Sequence, residues 1–253
     1  MIVALEYIKY RWIAKGRHGI HSPFVFDYLD TCQKIRLSKT DKATLRKLTA
    51  ELSKDKSEIQ INDFGAGSRK MGEVRKISDI FRTSSSYGKY GLLLYQLAKH
   101  YKPASILEFG TSLGVGTTYL NLGNPNAKIT TIEACNNTRK RAIQHLGDIS
   151  NIKSINSTFD DFLNDPIDQK FDLVFVDGHH DGTALLDYMN RLAPITHDKT
   201  VFVLDDIRWS NSMFESWNTL TESNEYHLSV DHFRVGIIAR RSIQEKEHFI
   251  LKL

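Results

Sequence analysis

Three stretches of this 253-residue chain place chemically useful side chains directly after short apolar runs. The first is Leu107-Glu-Phe-Gly-Thr-Ser-Leu-Gly-Val-Gly-Thr117. Gly110, Gly114 and Gly116 permit a tight turn and the close approach of a ligand to backbone at a helix N-terminus. A dinucleotide fingerprint would continue G-x-G-x-x-G. Counted from Gly114, its third glycine is Tyr119, too bulky beside a pyrophosphate, so a nicotinamide cofactor is disfavoured. The second stretch is Val176-Asp-Gly-His-His-Asp181, and the third is Leu204-Asp-Asp-Ile-Arg-Trp209. Open α/β sheets bind ligands at the C-terminal ends of their strands, so Asp177, Asp205 and Asp206 should converge there. Carboxylates that close raise each other's pKa unless a cation neutralises them. Hard oxygen donors suit Mg²⁺ or Ca²⁺ rather than zinc. His180, beside His179, can take a proton near neutral pH; a surface or strand-end histidine is the alternative.

These residues need a scaffold, and the pattern from Lys89 onward supplies one. Tyr90, Leu93, Leu94, Leu97 and Tyr101 recur at helical spacing, and Pro103 closes that helix. Apolar runs at 105–109, 128–132, 152–155, 171–176 and 200–204 read as strands. Helices are expected between them at 115–123, 137–146, 159–163 and 182–192. Strands alternating with helices predict a parallel, doubly wound Rossmann-like sheet, because parallel neighbours need crossover connections. After a helix near 211–222, strands at 227–231 and 234–240 are too close for a crossover and predict an antiparallel hairpin.

Residues 1–82 read as a basic, helical extension or cap, and 83–253 as the main domain. Helices are expected at 1–14, 24–36 and 41–52, with Ser22-Pro23 as a start signal. The first 82 residues carry 17 Lys/Arg against 10 Asp/Glu, while the remainder carry 17 against 20. Such a basic third could meet phosphates or an acidic substrate; a solvated helix face is the plainer reading. Cys32 and Cys135 exclude a disulfide framework, a four-cysteine zinc site and an iron–sulfur cage. The absence of a long apolar run or a cleavable leader pattern leads us to expect a soluble, cytoplasmic protein.

The glycine-rich segment resembles the first motif of class I S-adenosylmethionine-dependent methyltransferases, E/D-x-G-x-x-x-G-x-[GS]. The resemblance implies that Glu108, Gly110, Ser112 and Gly114 line the methionine part of S-adenosylmethionine. It also implies that Glu133, at the end of the second strand, binds the ribose hydroxyls, a sensible pairing of acceptor oxygens with a vicinal diol. Thr158 and Phe159 fall where the family contacts adenine. The aspartates narrow the likeness to metal-dependent O-methyltransferases of the catechol, caffeoyl-coenzyme A and macrocin types. In these, Asp177, Asp205 and Asp206 would hold Mg²⁺ or another divalent cation, with Asp177 also beside the cofactor. The resemblance covers about 83–240.

One departure stands out. Catechol-type enzymes place a lysine base three residues after the first metal aspartate, and here that position is His180, the candidate base. The implied activity is methyl transfer to a hydroxyl of a small-molecule acceptor, with a homodimer plausible. An RNA methyltransferase using the basic N-terminal third, and a non-catalytic binding protein on the same scaffold, are the alternatives. Trp209 is a candidate pocket wall. Asp63-Phe-Gly-Ala-Gly-Ser68 mimics a cofactor loop but reads as a turn, because the segment after it is too polar for the helix a true motif requires. Arg17-His-Gly-Ile-His-Ser-Pro-Phe24 reads as a helix connector or a loop over the site.

Overall fold

The structure is a computed structural model that describes residues 3–15, 22–62, 71–84, 86–147 and 149–253. The segment 63–68 and most of the 17–24 stretch lie outside the described residues. The parallel strands are β3 (Ser105–Phe109), β4 (Lys128–Glu133), β5 (Ile152–Asn156), β6 (Phe171–Val176) and β7 (Thr196–Leu204). They are joined by α6 (Val115–Gly123), α7 (Asn136–Leu146), α8 (Phe159–Asn164) and α9 (Gly182–Leu192), each close to its expected bounds. α10 (Asn211–Glu222) then leads into β8 (Leu228–His232) and β9 (Val235–Ala239), paired antiparallel as expected. β9 slots beside β7, also antiparallel.

The edge beyond β8 differs from expectation. β10 (Glu247–Ile250) adds a parallel strand there, giving the order β10-β8-β9-β7-β6-β3-β4-β5 among the described residues. Its mixed sequence, Glu-His-Phe-Ile, lacks the continuous apolar run of a central strand, which suits an edge position.

Strand alternation decides which side chains meet which layer. Ile106, Leu173, Phe175, Val201, Val203 and Ile237 face one apolar layer, where α5 (Lys89–Tyr101) contributes Leu93, Leu94 and Leu97. Leu107, Phe109, Val174, Val176, Phe202 and Leu204 face the other, against Leu185 and Met189 of α9 and Met213 and Trp217 of α10. Both faces are covered, as a parallel sheet demands.

The N-terminal part is not wholly helical. α1 (Val3–Ile13), α2 (Pro23–Asp30) and α3 (Lys39–Lys54) correspond to the expected helices, although α2 stops at Asp30 and a single 3₁₀ turn, Cys32–Lys34, follows. β1 (Glu58–Asn62) and β2 (Met71–Lys76) form an antiparallel hairpin where no strand was expected, and α4 (Ile77–Ser84) follows. The polarity that argued against a helix after Ser68 is that of a two-stranded ribbon lying outside the main sheet. Val25, Tyr28, Leu45, Leu52 and Ile77 join the same apolar layer as α5.

Polar ties fasten this region to the far edge. Tyr10 donates to the Leu251 carbonyl at 2.6 Å. That carbonyl can only accept, so Nδ1 of His232, 2.9 Å away, carries the ring proton, and Nε2 accepts from the Tyr28 hydroxyl at 2.6 Å. Complete burial holds the His232 pKa down at about 4, so the ring is neutral at ordinary pH. Nearby, Arg208 makes a two-pronged ion pair with Asp231 at 2.8 and 2.6 Å, both groups being buried. Its guanidinium lies over Phe214 and Phe233. Arg208→Ala strands a buried carboxylate and should cost about 3–5 kcal/mol in urea unfolding, whereas a loss below about 1 kcal/mol would mean that Asp231 finds another partner.

Candidate active site

The C-terminal ends of β3, β4, β6 and β7 meet at one edge of the sheet. Gly110 leaves β3 at φ +97, and a Cβ there would lie 1.8 Å from the carbonyl oxygen of Asp177, so only glycine fits. The two strand ends are laced together by Asp177 N–H donating to the Phe109 carbonyl at 2.8 Å. Gly114, at φ +77, is the N-cap of α6. Strained backbone gathers here as well. Ser112 (φ 46), His179 (φ 60), Asp206 (φ 51) and Phe233 (φ 72) are non-glycine residues in the left-handed region.

Glu133 ends β4 and holds the glycine loop in place. Its two carboxylate oxygens accept from Ser112 N–H and Cys135 N–H, both at 2.9 Å. Glu108 is fully buried, and one of its oxygens accepts from Thr117 Oγ1 at 2.5 Å. Among the described residues its other oxygen, Oε1, has no hydrogen-bond partner. Burial is the main cause that pushes the Glu108 pKa up to about 7, and the Glu133 charge adds to it against the hydroxyls of Thr117 and Thr131. Glu108, Gly110, Ser112, Gly116, Ser86 and Asp177 line one small open pocket.

Thr158 and Phe159 stand further along. Thr158 caps α8, accepting from Asp161 N–H at 3.0 Å. Phe159 stacks on Phe109 with ring centroids 4.5 Å apart and meets Tyr188 edge-on. Tyr119 is buried against the backbone of Gly91 in α5, which is why the third fingerprint position is an aromatic residue.

Asp177, Asp205 and Asp206 do converge, and Arg234 joins them. Its Nε donates to Asp205 Oδ1 at 2.9 Å and lies 3.0 Å from Asp206 Oδ1; Nη2 donates to Asp205 Oδ2 at 2.6 Å. The Ser86 hydroxyl sits between Asp177 Oδ2 (3.1 Å) and Asp205 Oδ2 (3.2 Å). Desolvation and the neighbouring aspartates hold the Asp177 pKa well above the usual carboxylate range, with Arg234 opposing. Asp206 is raised by the same causes, desolvation first. The expected cation set is not shown. Among the described residues no group of three or more His, Cys, Asp or Glu side chains is arranged to hold a metal ion, and a guanidinium engages both oxygens of Asp205.

His180 projects between Asp206 and Trp209. Nε2 is 3.8 Å from Asp206 Oδ2, and the ring centroid is 5.3 Å from that of Trp209, an exposed residue. His179 is held elsewhere, its Nδ1 2.5 Å from the Tyr188 hydroxyl. The sequence reading missed Arg234 and Ser86. A signal for Arg234 was available in the topology: β9 pairs antiparallel with β7, Gly236 opposite Leu204, so the hairpin turn must lie over the carboxylates that follow β7. Ser86 gave no such signal.

Residues 107–207 match the model of a family described as "Methyltransferase domain". No curated protein matches the chain. Among solved structures, a methyltransferase from Podospora anserina with SAH bound is 15% identical, with 87% of this chain and 97% of that one covered at a TM-score of 0.58. An O-methyltransferase from Bacillus cereus in complex with SAH is 16% identical, with 84% and 94% covered at 0.55. TomG, an O-methyltransferase from Streptomyces achromogenes involved in tomaymycin synthesis and solved with SAM, is 16% identical, with 86% and 94% covered at 0.56. At these identities the likeness is one of fold. Residues 107–207 thus match a methyltransferase-domain model and the chain shares the fold of methyltransferases of known structure, in line with the resemblance drawn from the glycine loop. No helix among the described residues is long and apolar enough to cross a membrane.

Glu108 ties stability to pH. Its folded pKa, about 7, lies above the ordinary 4.5, so its contribution is complete below about 4.5 and is lost as pH rises through 7. Relative to Glu108→Gln, the wild type should lose about 3 kcal/mol of unfolding free energy between pH 4.5 and pH 8 in urea titrations. Parallel curves for the two proteins would show that this carboxyl is not buried as described.

Proposed function

We propose that the protein transfers the methyl group of S-adenosylmethionine to an oxygen of a small-molecule acceptor. The observation that carries this reading is the buried Oε1 of Glu108, which has no hydrogen-bond partner among the described residues and lies in a pocket lined by the glycine loop. A buried acceptor atom without a donor is costly, and the cationic methionine part of the cofactor brings the charge and the N–H donors that relieve it. Glu133, already positioned by Ser112 and Cys135, offers its carboxylate to the ribose hydroxyls. The O-methyltransferases among the neighbouring structures support the choice of oxygen as acceptor.

The chemistry asks little beyond positioning. An acceptor oxygen must lie in line with the C–S bond, about 3 Å from the methyl carbon, and must lose its proton. His180, open to the solvent side beside Trp209, takes that proton at Nε2 while Asp206 faces the imidazolium that forms. The resemblance assigns a divalent cation to the three aspartates. In this chain their donor set does not suit one, because both oxygens of Asp205 and one of Asp206 face Arg234. No step is routed through a metal.

Calorimetric titration with S-adenosylhomocysteine tests the reading. Below pH 7 the ligand's ammonium meets a protonated Glu108, so binding must expel a proton; above pH 7 it need not. Affinity should rise with pH and level off above about 7, while Glu108→Gln binds more weakly and without that dependence. Glu133→Ala should weaken binding about 10-fold or more, the worth of charge-assisted hydrogen bonds to a diol. Absence of binding at every pH would remove the cofactor assignment and leave the scaffold reading.

A further inference from the structure

Three carboxylates at adjoining strand ends need positive charge close by, and the chain supplies it from the β8–β9 turn. Arg234 Nε and Nη2 fill both oxygens of Asp205, and Nε also faces Asp206. Asp205 Oδ1 accepts in addition from Asp206 N–H at 2.8 Å, and Ser86 reaches its Oδ2, so this carboxylate is saturated by donors of the chain itself. The guanidinium is fixed on its other side by the ring of Tyr90, 4.8 Å from Cζ to the centroid. The turn cannot drift, because Ile207 N–H donates to the Arg234 carbonyl at 2.9 Å. Among the described residues Nη1 has no hydrogen-bond partner, and the side chain keeps 30% of its surface open.

We propose that Arg234 stands in place of a divalent cation: held by Asp205 and Asp206, its guanidinium binds the acceptor oxygen, and methyl transfer needs no added metal. The inference rests on the methyltransferase reading of the pocket, and it narrows the acceptor. A guanidinium spreads one charge over three nitrogens and keeps its protons, so it lowers the pKa of a bound hydroxyl far less than a metal dication would. The fitting acceptors carry an oxygen already acidic, a phenol or a carboxylic acid, and a sugar hydroxyl does not fit. The phenolic proton passes to His180 Nε2, whereas a carboxylate arrives without one. The oxygen lone pair forms the new O–C bond as the C–S bond breaks. Its electron pair returns to sulfur, which changes from a sulfonium to a neutral thioether.

The test uses Mn²⁺ as the metal probe, followed by electron paramagnetic resonance on the full chain, with S-adenosylhomocysteine titrated in parallel. The wild type should bind no Mn²⁺ up to about 1 mM, a generous limit for a carboxylate site, and its S-adenosylhomocysteine affinity should be the same in EDTA. Arg234→Ala frees Asp205 and Asp206 beside Asp177 and should gain one Mn²⁺ site at least about tenfold tighter than any in the wild type. Arg234→Lys, whose single ammonium cannot make the paired contact, supplies the same comparison should the alanine variant not fold. A stoichiometric Mn²⁺ site in the wild type overturns the proposal, as does an Arg234 variant that still binds S-adenosylhomocysteine and gains no site. Loss of S-adenosylhomocysteine binding from the wild type would instead strike the methyltransferase reading, and the Mn²⁺ comparison would still judge Arg234.

Discussion

Gly110 passes so close to the carbonyl of Asp177 that even a methyl group at its Cα would collide, and much of the site follows from that approach. It brings the ends of β3 and β6 into contact through backbone atoms, which leaves no room for side chains between them. The loop must then turn sharply toward α6, placing Ser112 in a left-handed conformation where its N–H meets Glu133. Glu108, two residues before Gly110, is drawn into the interior, where among the described residues only one of its oxygens is satisfied. The strain and the orphaned oxygen lie within a few residues of each other, an arrangement that persists only because the packed sheet around it over-determines the backbone.

Charge at the neighbouring strand ends is settled by a different route. Asp177 follows β6 and the adjacent pair Asp205 and Asp206 follows β7, and their mutual repulsion would pry those two loops apart. Arg234 offsets it from a turn that the β7–β9 register pins above them. The guanidinium is therefore as much a part of the fold as of the chemistry, and the same is true of Tyr90, whose ring backs it.

The sequence made the main sheet legible because most of its parallel strands are rich in apolar residues and its helices are closed by clear punctuation. Glu108, Glu133 and the glycines were legible because their spacing is local. Arg234 left no such local trace, since it acts on Asp205 from 29 positions away and only the pairing of β9 with β7 sets it over the carboxylates. The β1–β2 ribbon escaped for another reason: its strands are short, and the alternation of β1 rests on two isoleucines, Ile59 and Ile61, between polar residues. Thr158 and Phe159, given by the resemblance as adenine contacts, also serve as a helix cap and an aromatic stack, roles that only the tertiary neighbours reveal.

The bonds from Tyr28 to His232 and from Tyr10 to Leu251 span 204 and 241 positions of sequence. Contacts of such separation are slow to form, because a large loop must close before they contribute anything. During synthesis the first helices leave the ribosome long before the strands that receive them, carrying Val25 and Tyr28 toward a surface that does not yet exist. At about 5–20 residues per second, that interval lasts on the order of ten seconds or more. The nascent chain must keep those apolar faces covered in the meantime, which makes the earliest part of this protein the part most exposed to chaperones and to misassembly.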